Sequence, residues 1–398
     1  MRRFGNALRV LAMLALAPWL FGAASASCTL GHDTAALTSR GASLFGWASA
    51  HLDRAFDGYR PLDDLGVRAF DAILLSNLAM GLHQTARLDP SREAQSARLL
   101  RFVVDRMLDP RVAPVSMTTL DDHNLYFSHA LLALSLSRAH GDDRHDALAR
   151  RLAIHLDTAS RGDPSFHARS YPGSPRWPAD QSATLAALHA YDHAFGDDRA
   201  ERATRGWLAW MAAHRTDELP WSATGGTSYT RIPRGCALSF ITFYTAQFAP
   251  TESHALYRAY AAHHGLDVLG VAGFREWPVG ADRGSDADAG LVLFGWGMAA
   301  TGIGLGAARI HGDEARVVGI ERIADLVGLP IGRRYALAPT VGMAMLFAGE
   351  TATPWFDERD VVVTSAPGVP WLPLAVVIAL AAIEVALRPR RSAPRLGS

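Results

Sequence analysis

The sequence predicts an all-α fold, an (α/α)6 toroid of six helical hairpins, and two observations lead to this prediction. First, a Gly-Asp turn recurs in the segments HGDD, FGDD and HGDE, whose glycines are Gly141, Gly196 and Gly312. The first two glycines are 55 residues apart and the last two are 116 apart, about two such steps. Second, an apolar run precedes each turn and an Arg-rich amphipathic run follows it. This pattern is typical of a helix closed by a left-handed glycine and followed by a helix that opens on an acidic residue.

Helix-like segments fill the chain in pairs. Five hairpins are predicted at 64–87 with 92–108, 121–139 with 144–159, 178–195 with 198–214, 232–248 with 252–265, and 288–311 with 314–327. Two segments, 36–56 and 335–349, remain unpaired, and their pairing with each other closes the ring at six hairpins. The run LAALHAYD is rich in small and apolar residues, as expected of an inner helix, whereas the Arg- and Glu-containing 198–214 is typical of an outer one. An open solenoid of helix pairs is the alternative.

The two faces of the predicted ring differ in their loops. Inner helices pass to outer ones through the short Gly-Asp turns, whereas the return connections are long, at about 159–177, 215–231 and 266–287. Long aromatic loops at the mouth of a funnel commonly collect ligand contacts. The candidate binding residues at this mouth are Tyr171, Trp177, Trp221, Tyr229, Cys236, Glu276, Asp286 and Asp288. For the aspartates at helix starts, a plain N-cap is the simpler interpretation.

The ends of the chain predict export and a membrane tether. Residues 1–26 have a basic start, an apolar stretch and an A-x-A site, the pattern of a secretory signal peptide. The toroid domain is expected at 27–366. An apolar run within 367–388 is followed by the arginines of 389–398, which predicts a transmembrane anchor with a basic cytoplasmic tail. A terminal helix packed on the ring is the alternative.

Several classes of function are excluded by what the sequence lacks. It contains no lysine, which removes Schiff-base chemistry, pyridoxal phosphate enzymes and P-loops. It contains no H-E-x-x-H motif or Cys-pair zinc spacing, so neither a metal site nor a cofactor is expected. The net charge is +0, so a nucleic-acid partner has no electrostatic support. A small-molecule substrate is expected, and the sequence does not fix the oligomeric state.

Two stretches of the chain resemble the linalool dehydratase/isomerase family. LAALHAYD followed by FGDD and ATRGWLAW is similar to one hairpin of that family, and SDADAG leading to ARIHGDE is similar to a later one. Weaker similarity extends back to about residue 50. The resemblance implies an exported, cofactor-independent (α/α)6 enzyme with acid-base lyase or isomerase chemistry on a small apolar alcohol or alkene.

The resemblance also implies a set of catalytic residues. Asp53 and Tyr59 match the family's aspartate and the tyrosine six residues later, and His129 falls within one residue of its inner-helix histidine. The family's two cysteines fall on Tyr171 and Asp180, so both are missing here. A carboxyl at Asp180 with a raised pKa would still serve as an acid. The simpler interpretations are a solvated charge for Asp53, packing for Tyr59, a core histidine for His129 and a helix cap for Asp180.

Three functions therefore compete. The main hypothesis is a membrane-tethered lyase or isomerase on the exported side of the cell membrane. The second is a carbohydrate-active toroid, a glycosidase or polysaccharide lyase, because an acidic mouth with aromatic residues suits sugars. The third is a non-catalytic binding module that has kept the scaffold. Cys236 is a further candidate nucleophile, with a small buried cysteine as the simpler interpretation.

Overall fold

The computed structural model describes residues 37–56, 68–115, 117–268, 270–281, 283–328 and 338–356, together with the short strands at 33–34, 330–331, 334–335 and 362–363. Tyr59, the signal peptide and the predicted anchor at 367–388 lie outside these residues. Within the described part, no helix is long and apolar enough to span a membrane.

Twelve α-helices dominate the described residues. They are α1 (Ser39–Phe56), α2 (Arg68–Leu88), α3 (Glu93–Met107), α4 (Asn124–Ala139), α5 (Asp146–Arg161), α6 (Pro178–Phe195), α7 (Ala200–Ala213), α8 (Gly235–Thr245), α9 (Pro250–His264), α10 (Met298–Ile310), α11 (Glu314–Gly328) and α12 (Thr340–Glu350). A 3-10 turn, Pro90–Arg92, precedes α3. Each predicted helix of the ring is present, so the all-α prediction for this domain is confirmed.

Ten short strands form five two-stranded antiparallel ribbons. The strands are β1 (Asp33–Thr34), β2 (Arg215–Thr216), β3 (Leu219–Pro220), β4 (Gly265–Val268), β5 (Val271–Phe274), β6 (Val292–Leu293), β7 (Trp296–Gly297), β8 (Pro330–Ile331), β9 (Arg334–Tyr335) and β10 (Val362–Val363). Each ribbon pairs consecutive strands except β1 with β10, which joins the two ends of the described chain. The ribbons lie in the connections between helices and, within the described residues, form no continuous sheet.

The even-numbered helices form a closed inner ring. Each packs on the next, α2 on α4 and so on to α12, and α12 packs on α2. The odd-numbered helices wrap this ring, and α1 packs on α12, so the predicted sixth hairpin is present. Burial follows the same division: α4 is buried continuously from Tyr126 to Ser137, whereas α5 buries a stripe at helical spacing. The open-solenoid alternative is excluded.

Buried ion pairs join the first helix to the last and hold the ring closed. Arg40 of α1 lies 2.6 Å from Asp325 of α11 and 3.3 Å from Glu350 of α12. Arg309 of α10 pairs with Glu321 at 2.9 Å and with Glu350 at 2.8 Å. Because each charge has an opposite charge within contact, the cost of burying these groups is offset.

The predicted glycine turns are present, whereas one predicted helix boundary differs from the structure. Gly141, Gly196 and Gly312 have φ of 83°, 66° and 71°, so the left-handed turns are confirmed. The fifth inner helix is shorter than the predicted 288–311. It begins at Met298 because Phe294 and Gly295, both at positive φ, turn the chain into the β6–β7 hairpin.

Candidate active site

A cavity of about 240 Å³ opens at the face where the inner helices begin, and all six inner helices line it. The long connections predicted at this face supply the remaining walls. The lining includes Tyr171 and Trp177 from the loop before α6, Ser222 and Tyr229 from the loop before α8, and Ala287 and Asp288 from the loop before α10. The funnel is therefore open, with its aromatic loops at the mouth.

The upper wall of the cavity, which we call the rim, is aromatic and charged; it consists of Tyr171, Trp177, Tyr229, Arg234 and Asp288. The rings of Tyr171 and Trp177 lie 5.5 Å apart and tilted. Tyr229 lies edge to face with the buried Trp277, at 6.2 Å. Flat rings beside hydrogen-bonding groups suit a ligand that has both apolar faces and polar edges.

The lower wall, which we call the apolar floor, consists of Ile73, Phe240, Ile303 and Met345. Each is the sixth residue of its inner helix, so the four side chains lie at one level of the ring. Asp180 is the third residue of α6. Three residues of helix rise about 4.5 Å, so the floor lies deeper than the Asp180 carboxyl by about that distance.

Asp180 is the titratable group at the boundary between rim and floor. Trp177 is extended and Pro178 begins α6, which places Asp180 in the first helical turn. Its carboxylate accepts a hydrogen bond from Ser170 Oγ. Burial raises the pKa of Asp180 to about 7, the Ser170 hydrogen bond opposes the rise and the negative charge of Asp288 adds to it. Near neutral pH this carboxyl therefore holds a proton that it can donate.

Asp288 is the second carboxyl in the cavity. Its side chain is 71% exposed at the mouth, and Arg234 Nη1 lies 3.9 Å from Asp288 Oδ2. Desolvation raises the pKa of Asp288, whereas Arg234 lowers it and Asp286 raises it. Partial burial, Asp288 and Asp180 in turn raise the pKa of Tyr171. These shifts place Tyr171 and the two carboxyls in one electrostatic group.

Arg234 organises the rim, and sequence reasoning did not select it. Its guanidinium stacks between Tyr229 and Trp277, with Cζ 5.0 and 4.8 Å from the ring centroids. Nε donates to Glu276 at 2.8 Å, and Nη2 donates to both oxygens of Asp286 at 2.8 Å. In a chain whose 39 basic residues are all arginine, no local pattern distinguishes this one.

Glu276 and Asp286 support the site rather than face the cavity. Glu276 is fully buried and also accepts the backbone N–H of Cys236 at 3.0 Å. Asp286 accepts the backbone N–H groups of Asp288 and Ala289, at 3.1 and 2.8 Å, and so fixes the loop that carries Asp288. The two predicted carboxyls that line the cavity are therefore Asp180 and Asp288.

Cys236 lines the cavity as a buried thiol. It follows Gly235, where a Cβ would lie 1.9 Å from the Arg275 carbonyl oxygen, so only glycine permits this close approach. The thiol Sγ donates to Glu276 Oε1 at 3.2 Å. Burial and the Glu276 charge raise the pKa of Cys236, and Arg234 opposes them. A thiol that stays protonated is a poor nucleophile, which favours the simpler interpretation.

The remaining predicted residues lie away from the cavity. Asp53 is half exposed on the outer helix α1 and pairs with Arg98 at 3.4 Å. His129 is buried at the level of the floor, where its Nδ1 is 2.7 Å from Ser76 Oγ, and burial lowers its pKa to about 4. Trp221 is stacked under Arg231, 4.8 Å from the ring centroid. Asp180 therefore lines the cavity, whereas Asp53 and His129 do not. Within the described residues, no cluster of side chains could hold a metal ion.

Comparisons with known proteins bear on the fold. No protein-family model matches the chain, and no curated protein sequence matches it. The GH76 α-mannanase of Bacteroides thetaiotaomicron is similar in structure, with a TM-score of 0.50, 9% identity, and coverage of 79% of this chain and 96% of that one. The GH76A α-1,6-mannanase of Salegentibacter sp. HEL1_6 has a TM-score of 0.49 and 12% identity over 77% of this chain and 98% of its own.

These findings correct the resemblance drawn from the sequence. The similar structure with a TM-score of 0.50 is a GH76 α-mannanase and not a linalool dehydratase/isomerase. The resemblance to that family is therefore not supported, and lyase or isomerase chemistry on a terpenoid alcohol loses its basis. The motifs that suggested it lie in inner helices and a turn of this ring: LAALHAYD lies within α6, and ARIHGDE spans the end of α10 and the turn to α11.

Proposed function

We propose that the chain is an (α/α)6 glycosidase in which Asp180 is the general acid and Asp288 the second carboxyl of the reaction. One observation carries the proposal: the Asp180 carboxyl, whose pKa is raised to about 7, lies in the same cavity as Asp288. Glycosidases use two carboxyl groups on either side of the bond that breaks, one of which must hold a proton.

The two carboxyls have different surroundings, which assigns their roles. Asp180 lies at the cavity wall, where burial favours its neutral form more than the hydrogen bond from Ser170 favours its charged form. Asp288 lies at the mouth with its side chain 71% exposed; desolvation raises its pKa, and the Arg234 guanidinium at 3.9 Å opposes that rise by stabilising the charged form. In this arrangement Asp180 protonates the leaving oxygen. Asp288 then faces the sugar carbon, either as a nucleophile or as the base that activates water.

The rim supplies a surface for the sugar. Tyr171, Trp177 and Tyr229 present aromatic rings, and Arg234 is fixed by Glu276 and Asp286. The signal peptide predicted at 1–26 is consistent with a glycoside substrate outside the cytoplasm. Because the similar Bacteroides structure is an α-mannanase, α-mannosides are the first substrates to test.

The experiment is a screen of p-nitrophenyl glycosides, with the α-mannoside first, using the purified protein and two variants. The proposal predicts p-nitrophenol release with at least one sugar, lost by about 10²-fold or more in Asp288→Asn. Asp53→Asn, which lies outside the cavity and pairs only with an exposed arginine, should leave the rate unchanged. Absence of hydrolysis across the panel, or equal activity in Asp288→Asn, would contradict the proposal.

A further inference from the structure

The apolar floor is not the surface expected of a site that binds only a sugar. Sugars present hydroxyl groups on every edge, and a buried hydroxyl without a hydrogen-bond partner is costly. Yet the four side chains of the floor, Ile73, Phe240, Ile303 and Met345, offer no polar group to such a hydroxyl. The floor therefore favours a part of the ligand that has no hydroxyls.

The neighbours of the floor do not supply the missing polarity. His129, at the same level on α4, is fully buried, does not line the cavity and is held neutral by a pKa lowered to about 4. Leu125 and Phe70, in the first turns of α4 and α2, add further apolar wall. The charged groups of the cavity, Asp180, Arg234 and Asp288, all lie above the floor.

The order of the rim, Asp180 and the apolar floor, from the mouth of the cavity inwards, determines the orientation of a bound glycoside. The sugar belongs at the rim, where the aromatic rings and Asp288 lie, and the glycosidic oxygen belongs next to Asp180. The group attached through that oxygen then points towards the floor. Engineered apolar cavities of about 150 Å³ bind benzene, so a cavity of 240 Å³ admits a group of that size together with part of a sugar ring.

We infer that the substrate is a small glycoside with an apolar aglycone, and that the aglycone occupies the floor formed by Ile73, Phe240, Ile303 and Met345. The inference rests on the proposed glycosidase function for the sugar half of the ligand. The aglycone half follows from the floor alone. In the reaction, Asp180 gives its proton to the glycosidic oxygen as the bond to the sugar carbon breaks. The aglycone leaves as a neutral alcohol, water supplies the hydroxyl that the sugar gains, and the remaining proton of that water passes to whichever carboxylate acts as the base and restores the proton of Asp180.

The test separates the two halves by using probes with and without a sugar. The sugar-free probes are butanol, hexanol and octanol, and their binding is measured by the concentration-dependent rise in melting temperature. Each methylene that the floor buries should tighten binding about fourfold, until the floor is filled. The glycoside probes are the methyl, butyl and hexyl glycosides of the sugar found in the screen, or of mannose if none is found.

Three variants locate the binding. Ala237 lines the cavity as the third residue of α8, at the level of Asp180, so Ala237→Leu adds volume above the floor and should weaken the binding of every chain that must pass this level to reach the floor. Ile303→Asn places an amide in the floor and should reduce the gain in affinity with each added methylene. Val279→Asn, at an 80% exposed position that does not line the cavity, should leave it unchanged. Ala237→Leu keeps the test decisive if the asparagine variant does not fold.

The outcomes distinguish the inference from the proposed function. A length-dependent gain for both alcohols and glycosides, sensitive to Ala237→Leu, supports the inference. The same gain without any hydrolysis supports the apolar floor and refutes the glycosidase. Hydrolysis of the methyl glycoside with no gain in either series overturns the inference and leaves the proposed function standing.

Discussion

The change Asp180→Asn tests whether the cavity holds this carboxyl in its neutral form. Asparagine has nearly the shape of a protonated aspartic acid and can still accept the Ser170 hydrogen bond. It cannot ionise. The structure therefore predicts that the variant is inactive as an acid but more stable than the wild type at alkaline pH, because the wild type must ionise Asp180 inside a wall that disfavours the charge.

The magnitude follows from the pKa. The Asp180 pKa rises from 3.8 to about 7 on folding, so between these values the native state binds a proton that the unfolded chain has lost. This stabilisation is complete below pH 3.8 and is lost as the pH rises towards 7, by about 1.4 kcal/mol per pH unit and at most roughly 4 kcal/mol in all. Solvent in the cavity screens the charge and reduces both figures.

The assay is urea unfolding of wild type and Asp180→Asn at pH 5 and pH 8, compared as a difference of differences. Titrating groups that do not interact with Asp180 contribute equally to both proteins and cancel. The stability of the variant relative to wild type should increase by about 3 kcal/mol between the two pH values. A relative stability that is independent of pH would refute the reasoning, because it would mean that Asp180 ionises in the folded protein as it does in water.

Three further predictions follow from single contacts. Arg234→Met leaves buried Glu276 unpaired and should cost about 3–5 kcal/mol in urea unfolding. Arg205→Ala removes an exposed ion pair and should cost about 0–1 kcal/mol in the same assay. Equal costs for Arg234→Met and Arg205→Ala would contradict the assignment of Arg234 to a buried ion pair. Gly196→Ala at φ 66° should lower stability by about 1 kcal/mol or more. Gly302→Ala, inside α10 with open space for a Cβ, should raise it by up to about 1 kcal/mol. Cys236→Ala should retain activity and native Cys236 should resist iodoacetamide at pH 7.5, whereas loss of activity would identify a nucleophile.

The ring was predictable because its signal is repeated. Each Gly-Asp turn is weak evidence alone, but Gly141, Gly196 and Gly312 recur at a spacing that one hairpin sets. The closure by 36–56 and 335–349 followed from counting helices. The start of α10 did not follow, because 291–297 is as apolar as a helix and forms a hairpin only through the positive φ of Phe294 and Gly295.

The site was only partly predictable, for a physical reason. Asp180 reaches the cavity because it lies in the first turn of an inner helix and all such helix starts meet at one face, whereas Asp288 reaches it from the loop before α10. Spacing along the chain could not show that Asp53 lies on the outside of the ring, or that Arg234 contacts three acidic residues of the connection between β5 and β6. The apolar floor depends on the register of four helices, which becomes visible only when they are assembled.

The measurement that tests the central claim most directly compares two leaving groups in wild type and Asp180→Asn. p-Nitrophenol leaves without protonation, whereas an alkyl alcohol needs a proton from the acid. If Asp180 is the general acid, the variant loses about 10²–10⁴-fold on the hexyl glycoside and less than about tenfold on the p-nitrophenyl glycoside of the same sugar. Equal losses on both substrates, or no loss on either, would contradict the account.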